Sequence, residues 1–249
     1  MKLDGVRAIL FDLDGTFADT AADLARALNR VRAERGLAPL PPEVARPHTS
    51  SGARGLLKAG FGVTPDSPDY RALRERFLDF YEEALCIDTR LFDGIPELLV
   101  KIRQRKFPWG IVTNKGKRFT GPLLRLLAVD HLAACVVSGD STPHAKPHPA
   151  PLLRLLAVDH LAACVVSGDT TPHIKPHPAP LLKAAELLSL RPSDCLYIGD
   201  DLRDVQAARA AGMRFIAAAW GYLGEGGDPG SWGADAVLSR PREILELLS

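Results

Sequence analysis

The chain has 249 residues, of which 46% are hydrophobic and 24% charged, with a formal net charge of +1. That length is enough for one large core, or one core with a smaller companion unit, and the composition excludes disordered and fibrous classes. No long basic run gives an electrostatic footprint for nucleic acid, and no uncharged stretch reaches the roughly 18 residues of a membrane helix. A cytoplasmic protein working on a small molecule, with no nucleic-acid or membrane partner, is therefore expected. The thiols of Cys86, Cys135, Cys164 and Cys195 are expected to stay free.

Val6 to Phe11 is a short apolar run that meets Asp12 and the turn-forming Asp14-Gly15, which predicts a buried parallel strand ending in a loop. From Thr20 the spacing turns helical at Leu24, Leu28 and Val31, with Thr20 and Asp23 reading as a capping-box-like start and Gly36 as the close. Prolines 41 and 42 break the chain, and a second helix is expected after HTSSGAR at 48–54. A third should start at Ser67-Pro68, with Tyr70, Leu73, Phe77, Tyr81 and Leu85 along its apolar face. Residues 17–89 thus read as an all-helical unit set into something else.

Beyond Gly94 helix and strand alternate. Helices are expected at 95–105, 118–128, 178–188 and 202–211, and strands at 109–113, 134–138, 195–199 and 214–219. That alternation predicts an α/β fold, a doubly wound parallel sheet built from 1–16 and 90–249, with ligands beyond the carboxyl ends of the strands. The glycine-containing stretch WGYLGEGGDPG at 220–230 lacks phosphate-loop spacing and reads as a surface loop.

One passage is written twice: PLLRLLAVDHLAACVVSGDSTPHAKPHPA at 122–150 and PLLRLLAVDHLAACVVSGDTTPHIKPHPA at 151–179, differing at Ser141 against Thr170 and Ala145 against Ile174. Each copy holds a helix, a strand and a loop with one lysine, Lys146 or Lys175. Lys146 keeps one spacing, back to Thr113, and Lys175 the other, on to Asp200.

The predicted strand ends carry Asp12 and Asp14, then Thr113 and Asn114, then one of the two lysines, then Asp200, Asp201 and Asp204. Carboxylates from two strand ends repel unless a cation lies between them, and hard oxygen ligands suit Mg²⁺. A hydroxyl, an amide and an ammonium beside such an ion complete a site for a tetrahedral dianion. A carboxylate there can attack phosphorus to give an aspartyl phosphate, and a second carboxyl two residues on can protonate the leaving oxygen.

DLDGT after an apolar strand, a strand ending in Thr-Asn, Lys-Pro, and GDDLRD after a further strand stand in the order that resembles the haloacid dehalogenase-like phosphatases. The resemblance covers nearly the whole chain apart from one repeat copy, and places a helical cap at 17–89. It implies a Rossmann-like core with Asp12 as nucleophile, Asp14 as general acid and base, and Thr113 and Asn114 as phosphoryl hydrogen bonders. It further implies Mg²⁺ held by Asp12, the main-chain carbonyl of Asp14 and Asp200, with Asp201 or Asp204 supporting. FDGIPELL, WGIVTNK, GDDLRD and WGADAV resemble the phosphoglycolate phosphatase branch and its N-acetylmuramic acid 6-phosphate phosphatase relatives, the last two favouring the latter. A small phosphomonoester is the implied substrate, phosphoserine included if the duplication alters choice.

Ser50, Ser51, Gly52, Ala53 and Arg54 are the expected contact loop of the cap: Arg54 could pair with a substrate carboxylate and Gly52 allows close approach, while a helix start with a solvent-facing arginine is the other reading. A phosphorelay receiver fails on motif order, and a phosphosugar mutase with the same site remains an alternative. The PHxKPHP histidines raise a non-enzymatic metal-binding or assembly protein, but the prolines favour solvated loop histidines. The resemblance implies strand order 3-2-1-4-5, which sets the duplicated strand at an edge. With two lysine spacings to satisfy, a swapped or edge-paired homodimer is expected.

Overall fold

In the computed structural model the described residues are 4–129, 164–224 and 227–247. Six parallel strands form one sheet: β1 (Ala8–Phe11), β4 (Trp109–Val112), β5 (Cys164–Val166), β6 (Cys195–Gly199), β7 (Arg214–Ala218) and β8 (Ala236–Leu238), in the order β5-β4-β1-β6-β7-β8. β1 lies at the centre, with Ile9 opposite Trp109 on one side and Leu196 on the other. Its four residues are all buried, as are the five of β6, because helices cover both faces.

Alternation sorts the side chains. Ile9, Phe11, Ile111 and Ile198 face one layer, made by α5 (Ile95–Gln104), α6 (Lys117–Leu126) and α9 (Ile244–Leu247). Ala8, Leu10, Val112 and Tyr197 face the other, made by α7 (Ala179–Leu188) and α8 (Leu202–Ala211).

Between β1 and β4 the chain forms a two-stranded antiparallel pair, β2 (Ala18–Asp19) and β3 (Arg90–Leu91). From that pair extends a helical segment: α1 (Ala21–Glu34), α2 (Pro42–Ala45), a 3₁₀ turn (Arg46–Ser51), α3 (Gly52–Phe61) and α4 (Tyr70–Glu83). It has its own core of Leu28, Leu56, Leu57, Phe77 and Tyr81, which Phe119 of α6 joins from the sheet side.

Several local expectations change. Pro42 does not simply break the chain; it opens the short α2 at a first position that needs no N–H. Ser67-Pro68 forms a turn and α4 begins at Tyr70, because Ser67 Oγ accepts from the Thr64 N–H at 3.0 Å and the Ser67 carbonyl from the Tyr70 N–H. No capping box starts α1: Thr20 Oγ1 donates to Asp14 Oδ1 (2.7 Å), and Asp23 accepts from the Thr89 N–H and hydroxyl. The phenol oxygen of Tyr222 caps the helix instead, accepting from the Thr20 and Ala21 N–H groups at 2.7 and 3.1 Å. WGADAV supplies β8, a sixth strand that the apolar alternation left unmarked.

The strand expected at 134–138 in the first copy, with His144, Lys146 and His148, lies outside the described residues. The second copy supplies β5, while the first supplies the end of α6. Among the described residues no helix is long and apolar enough to cross a membrane, and Cys86 and Cys195 are free thiols.

Candidate active site

The chemistry-bearing residues follow the carboxyl ends of β1, β4, β5 and β6, where parallel strands stop and their loops meet. Asp12 is held at the end of β1 by its N–H donating to the Ile198 carbonyl at 2.9 Å, and Thr113 at the end of β4 by its N–H to Val166. Lys175 arrives on the loop after β5. Its ammonium lies 2.8 Å from Asp12 Oδ1 and 2.7 Å from Asp204 Oδ1, and it donates to Tyr197 Oη (2.7 Å) and the Val112 carbonyl (3.2 Å). The Asp12 contact is an ion pair off hydrogen-bonding alignment.

Lys175 is only 3% exposed. Burial works against its charge, but Asp12 and Asp204 outweigh that and hold its pKa above the ordinary lysine value. Burial pushes Asp12 up to about 7 against the pull of Lys175, with Asp204 adding to the rise. Asp200 is raised well above the usual carboxylate range by burial and by the charges of Asp12 and Asp204.

Asp12, Asp200 and Asp204 offer oxygens within 4.8 Å of one another. Three buried carboxylates at that spacing are mutually unfavourable as anions, and the donor set is all oxygen, so these residues fit Mg²⁺. Asp200 is fixed in place by the Thr16 hydroxyl (2.8 Å) and the Tyr222 N–H (2.8 Å). Gly15, at φ +90°, and Gly221 leave room for that carboxylate; a Cβ at either position would collide with it.

Asp201, one of the two residues expected to support the metal, points elsewhere, and the side chain of Asp14, of which only the main-chain carbonyl was expected at the metal, is engaged as well. Asp201 caps α8 through the Arg203 N–H (2.8 Å) and pairs with the Arg203 guanidinium (2.7 Å), which holds it below its ordinary value despite burial. The Asp14 carboxylate pairs with Lys115 Nζ at 3.0 Å and accepts from Thr20, so only its main-chain carbonyl is left for a metal. Asp204 completes the α8 capping box, accepting from the Asp201 N–H, while its other oxygen meets Lys175 and Tyr197.

Asn114, expected as a phosphoryl hydrogen bonder, spends its side-chain carbonyl and one amide hydrogen on the Lys175 backbone (2.9 and 3.1 Å), which locks the lysine loop onto β4. Thr113 Oγ1 accepts from the Lys115 N–H (3.1 Å) and keeps its own hydrogen for another acceptor. Lys175 reaches Asp12 within one chain: α6 with its first-copy residues and β5 from the second copy together meet both spacings, so the site does not require a partner's lysine. His173 and His177 are exposed, their rings tilted against each other with centroids 4.3 Å apart, and His177 Nδ1 accepts from the Ala179 N–H.

A cavity of about 490 Å³ opens above Asp12 and Lys175, between the strand ends and the helical segment. Ser50 to Arg54 line it, and Ser50 Oγ reaches Asp200 Oδ2 at 3.4 Å while its carbonyl accepts from Arg203 (2.6 Å). Sequence reasoning missed Lys115, Arg203, Tyr197 and Tyr222. Lys115 and Arg203 lie inside the quoted stretches WGIVTNK and GDDLRD, which was a usable signal. Tyr222 lies in the stretch read as a surface loop, yet it is buried against Asp200, Asp19 and Thr20.

The haloacid dehalogenase-like hydrolase family model matches residues 9–162 and again 152–218, the two matches overlapping inside the second repeat copy. The fold and this arrangement of residues define a hydrolase of that class, and the chain belongs to the haloacid dehalogenase-like hydrolases. Its curated relatives are named as phosphatases. The N-acetylmuramic acid 6-phosphate phosphatase of Pseudomonas aeruginosa is 36% identical over 248 residues, covering 100% of this chain and 97% of that one. The phosphoglycolate phosphatase of Xanthomonas campestris is 37% identical over 240 residues, covering 96% and 95%. The crystal structure of a predicted phosphoglycolate phosphatase from Haemophilus somnus superposes with a TM-score of 0.76 at 23% identity, covering 98% of each chain, and shares the fold.

Proposed function

We propose that this protein is a magnesium-dependent phosphomonoester hydrolase working through an aspartyl phosphate on Asp12, with a small phosphorylated acid such as N-acetylmuramic acid 6-phosphate or 2-phosphoglycolate as substrate. The observation that carries the reading is the meeting of Asp12, Asp200 and Asp204 with the Lys175 ammonium beyond the strand ends. Asp12, Asp200 and the main-chain carbonyl of Asp14 would hold magnesium, which when bound supplies charge neutralisation at the phosphoryl oxygens.

Lys175 stabilises the Asp12 carboxylate and the incoming dianion together. The Asp12 carboxylate attacks phosphorus, the bond from phosphorus to the leaving oxygen breaks, and Asp14 gives that oxygen its proton. Asp14 then takes a proton from water, whose oxygen attacks phosphorus and frees phosphate and Asp12. Lys115 orients Asp14 between these two tasks, and the Thr113 hydroxyl donates to a phosphoryl oxygen. The helical segment 17–89 serves as a cap that excludes bulk water, with Ser50 to Arg54 as its contact loop.

The test is phosphate release from a panel of phosphomonoesters. Release should vanish on chelation, return with Mg²⁺, and be lost in Asp12→Asn. Metal-independent release, or none from any substrate by folded protein, would overturn the reading.

A further inference from the structure

The catalytic residues line only the sheet side of the cavity. Its other wall carries Arg54, in the first turn of α3, and Arg74 on α4. Neither has an ion-pair partner among the described residues. Arg26, Arg30, Arg46, Arg71 and Arg76 of the same helical segment each pair with a carboxylate, and Arg32 and Arg35, which do not, lie away from the cavity that Arg54 and Arg74 line. Nor do the cavity's acids reach them. Asp12 and Asp204 share Lys175, Asp14 pairs with Lys115 and Asp201 with Arg203, and none of these pairs includes Arg54 or Arg74. Unmatched positive charge therefore stands across the cavity from the phosphoryl end.

Between the two ends the wall is apolar, formed by Tyr70, Phe77, Leu78 and Phe119. At about 490 Å³ the space matches a ligand of drug or sugar size, and a two-carbon acid would leave most of it to water. A ring with an apolar face and a carboxylate at the far end uses all three features: phosphate at Lys175, ring on the aromatic wall, carboxylate at the arginines.

We infer that Arg74, together with Arg54, forms a carboxylate subsite, and that the substrate is a sugar-sized phosphomonoester carrying a carboxylate away from its phosphate. This rests on the phosphatase reading above and deepens it. Arg74 selects the substrate without touching the reacting atoms.

The experiment measures kcat/KM for N-acetylmuramic acid 6-phosphate, for N-acetylglucosamine 6-phosphate, which has the same ring without the carboxylate, for 2-phosphoglycolate and for p-nitrophenyl phosphate. It uses the full chain, Arg74→Met and Arg74→Lys, with thermal melting to establish folding. The full chain should prefer the acidic sugar over the neutral one by about 10- to 100-fold, the range of a charge-assisted hydrogen bond. Arg74→Met should cut that ratio at least tenfold and Arg74→Lys restore part of it. Equal rates on the two sugars, an unchanged ratio in Arg74→Met, or faster turnover of 2-phosphoglycolate overturns the subsite. With release from p-nitrophenyl phosphate intact, those failures leave the phosphatase reading standing, whereas no release from any substrate removes both.

Discussion

Lys175 has its ammonium against two carboxylates and almost no contact with water. Removing it strands Asp12 and Asp204 together and takes away the cation beside the incoming phosphate. Lys175→Met should therefore lower kcat/KM by about 10²–10³-fold, and Lys146→Met should leave it near the native value; phosphate-release kinetics on both variants check this. Tyr222 ties the active site to the base of the helical segment. Its N–H holds Asp200, while its phenol oxygen caps α1 and donates to Asp19 (2.9 Å). Tyr222→Phe keeps the N–H and the ring but leaves the buried Thr20 N–H unsatisfied and the Ala21 N–H with Asp19 Oδ1 alone (3.3 Å), so denaturant melts should show a loss of about 1–3 kcal/mol. The contrast between these residues explains what could be read early. Asp12, Thr113 and Asp200 each follow a short apolar run, so a local pattern marks them. Tyr222 meets Thr20 across 202 positions of chain, and no local pattern records such a contact.

At the scale of elements, α4 shows how far periodicity carries. Leu73, Phe77 and Tyr81 repeat at helical offsets and all three are buried in the core of the helical segment. Phe77 is fully buried there, so Phe77→Ala should cost about 3–5 kcal/mol. Thermal melts should show the loss, and kcat/KM should fall with it because Phe77 also lines the cavity. Helix ends were less legible. Thr20 and Asp23 have the right types and spacing for a cap, but a buried helix start is free to take its acceptor from elsewhere, here from Tyr222. The side chains left over were then used in tertiary bonds, Thr20 to Asp14 and Asp23 to Thr89. β8, with three residues of which one is buried, is too short and too exposed for apolar alternation to announce it.

At the scale of the whole molecule, the duplication is the open structural feature. Among the described residues, those before 130 and after 163 suffice to form the six-stranded sheet and the site, and Val129 occupies the same repeat position as Val158. Deleting residues 130–158 joins Val129 to Asp159 in the repeat's own order. The shortened chain should keep the native circular dichroism and a kcat/KM within a few-fold of the full chain; loss of either would mean that both copies are needed. The edge-paired dimer proposed for the duplicated unit predicts twice the chain mass by light scattering at micromolar concentration, and a monomer after the deletion. A monomeric full chain would remove that proposal.

The sequence by itself determined the layered α/β architecture, the helical insertion and the strand ends that carry the chemistry, because periodicity and short motifs are properties of neighbouring residues. Only the tertiary structure decided which copy's lysine meets Asp12, that Asp201 turns to Arg203 while Asp204 joins the carboxylate cluster, and that Lys115 and Tyr222 belong to the site. Those choices depend on distances between segments far apart in the chain. Two loops that differ at only two positions cannot be told apart until the sheet has closed around one of them.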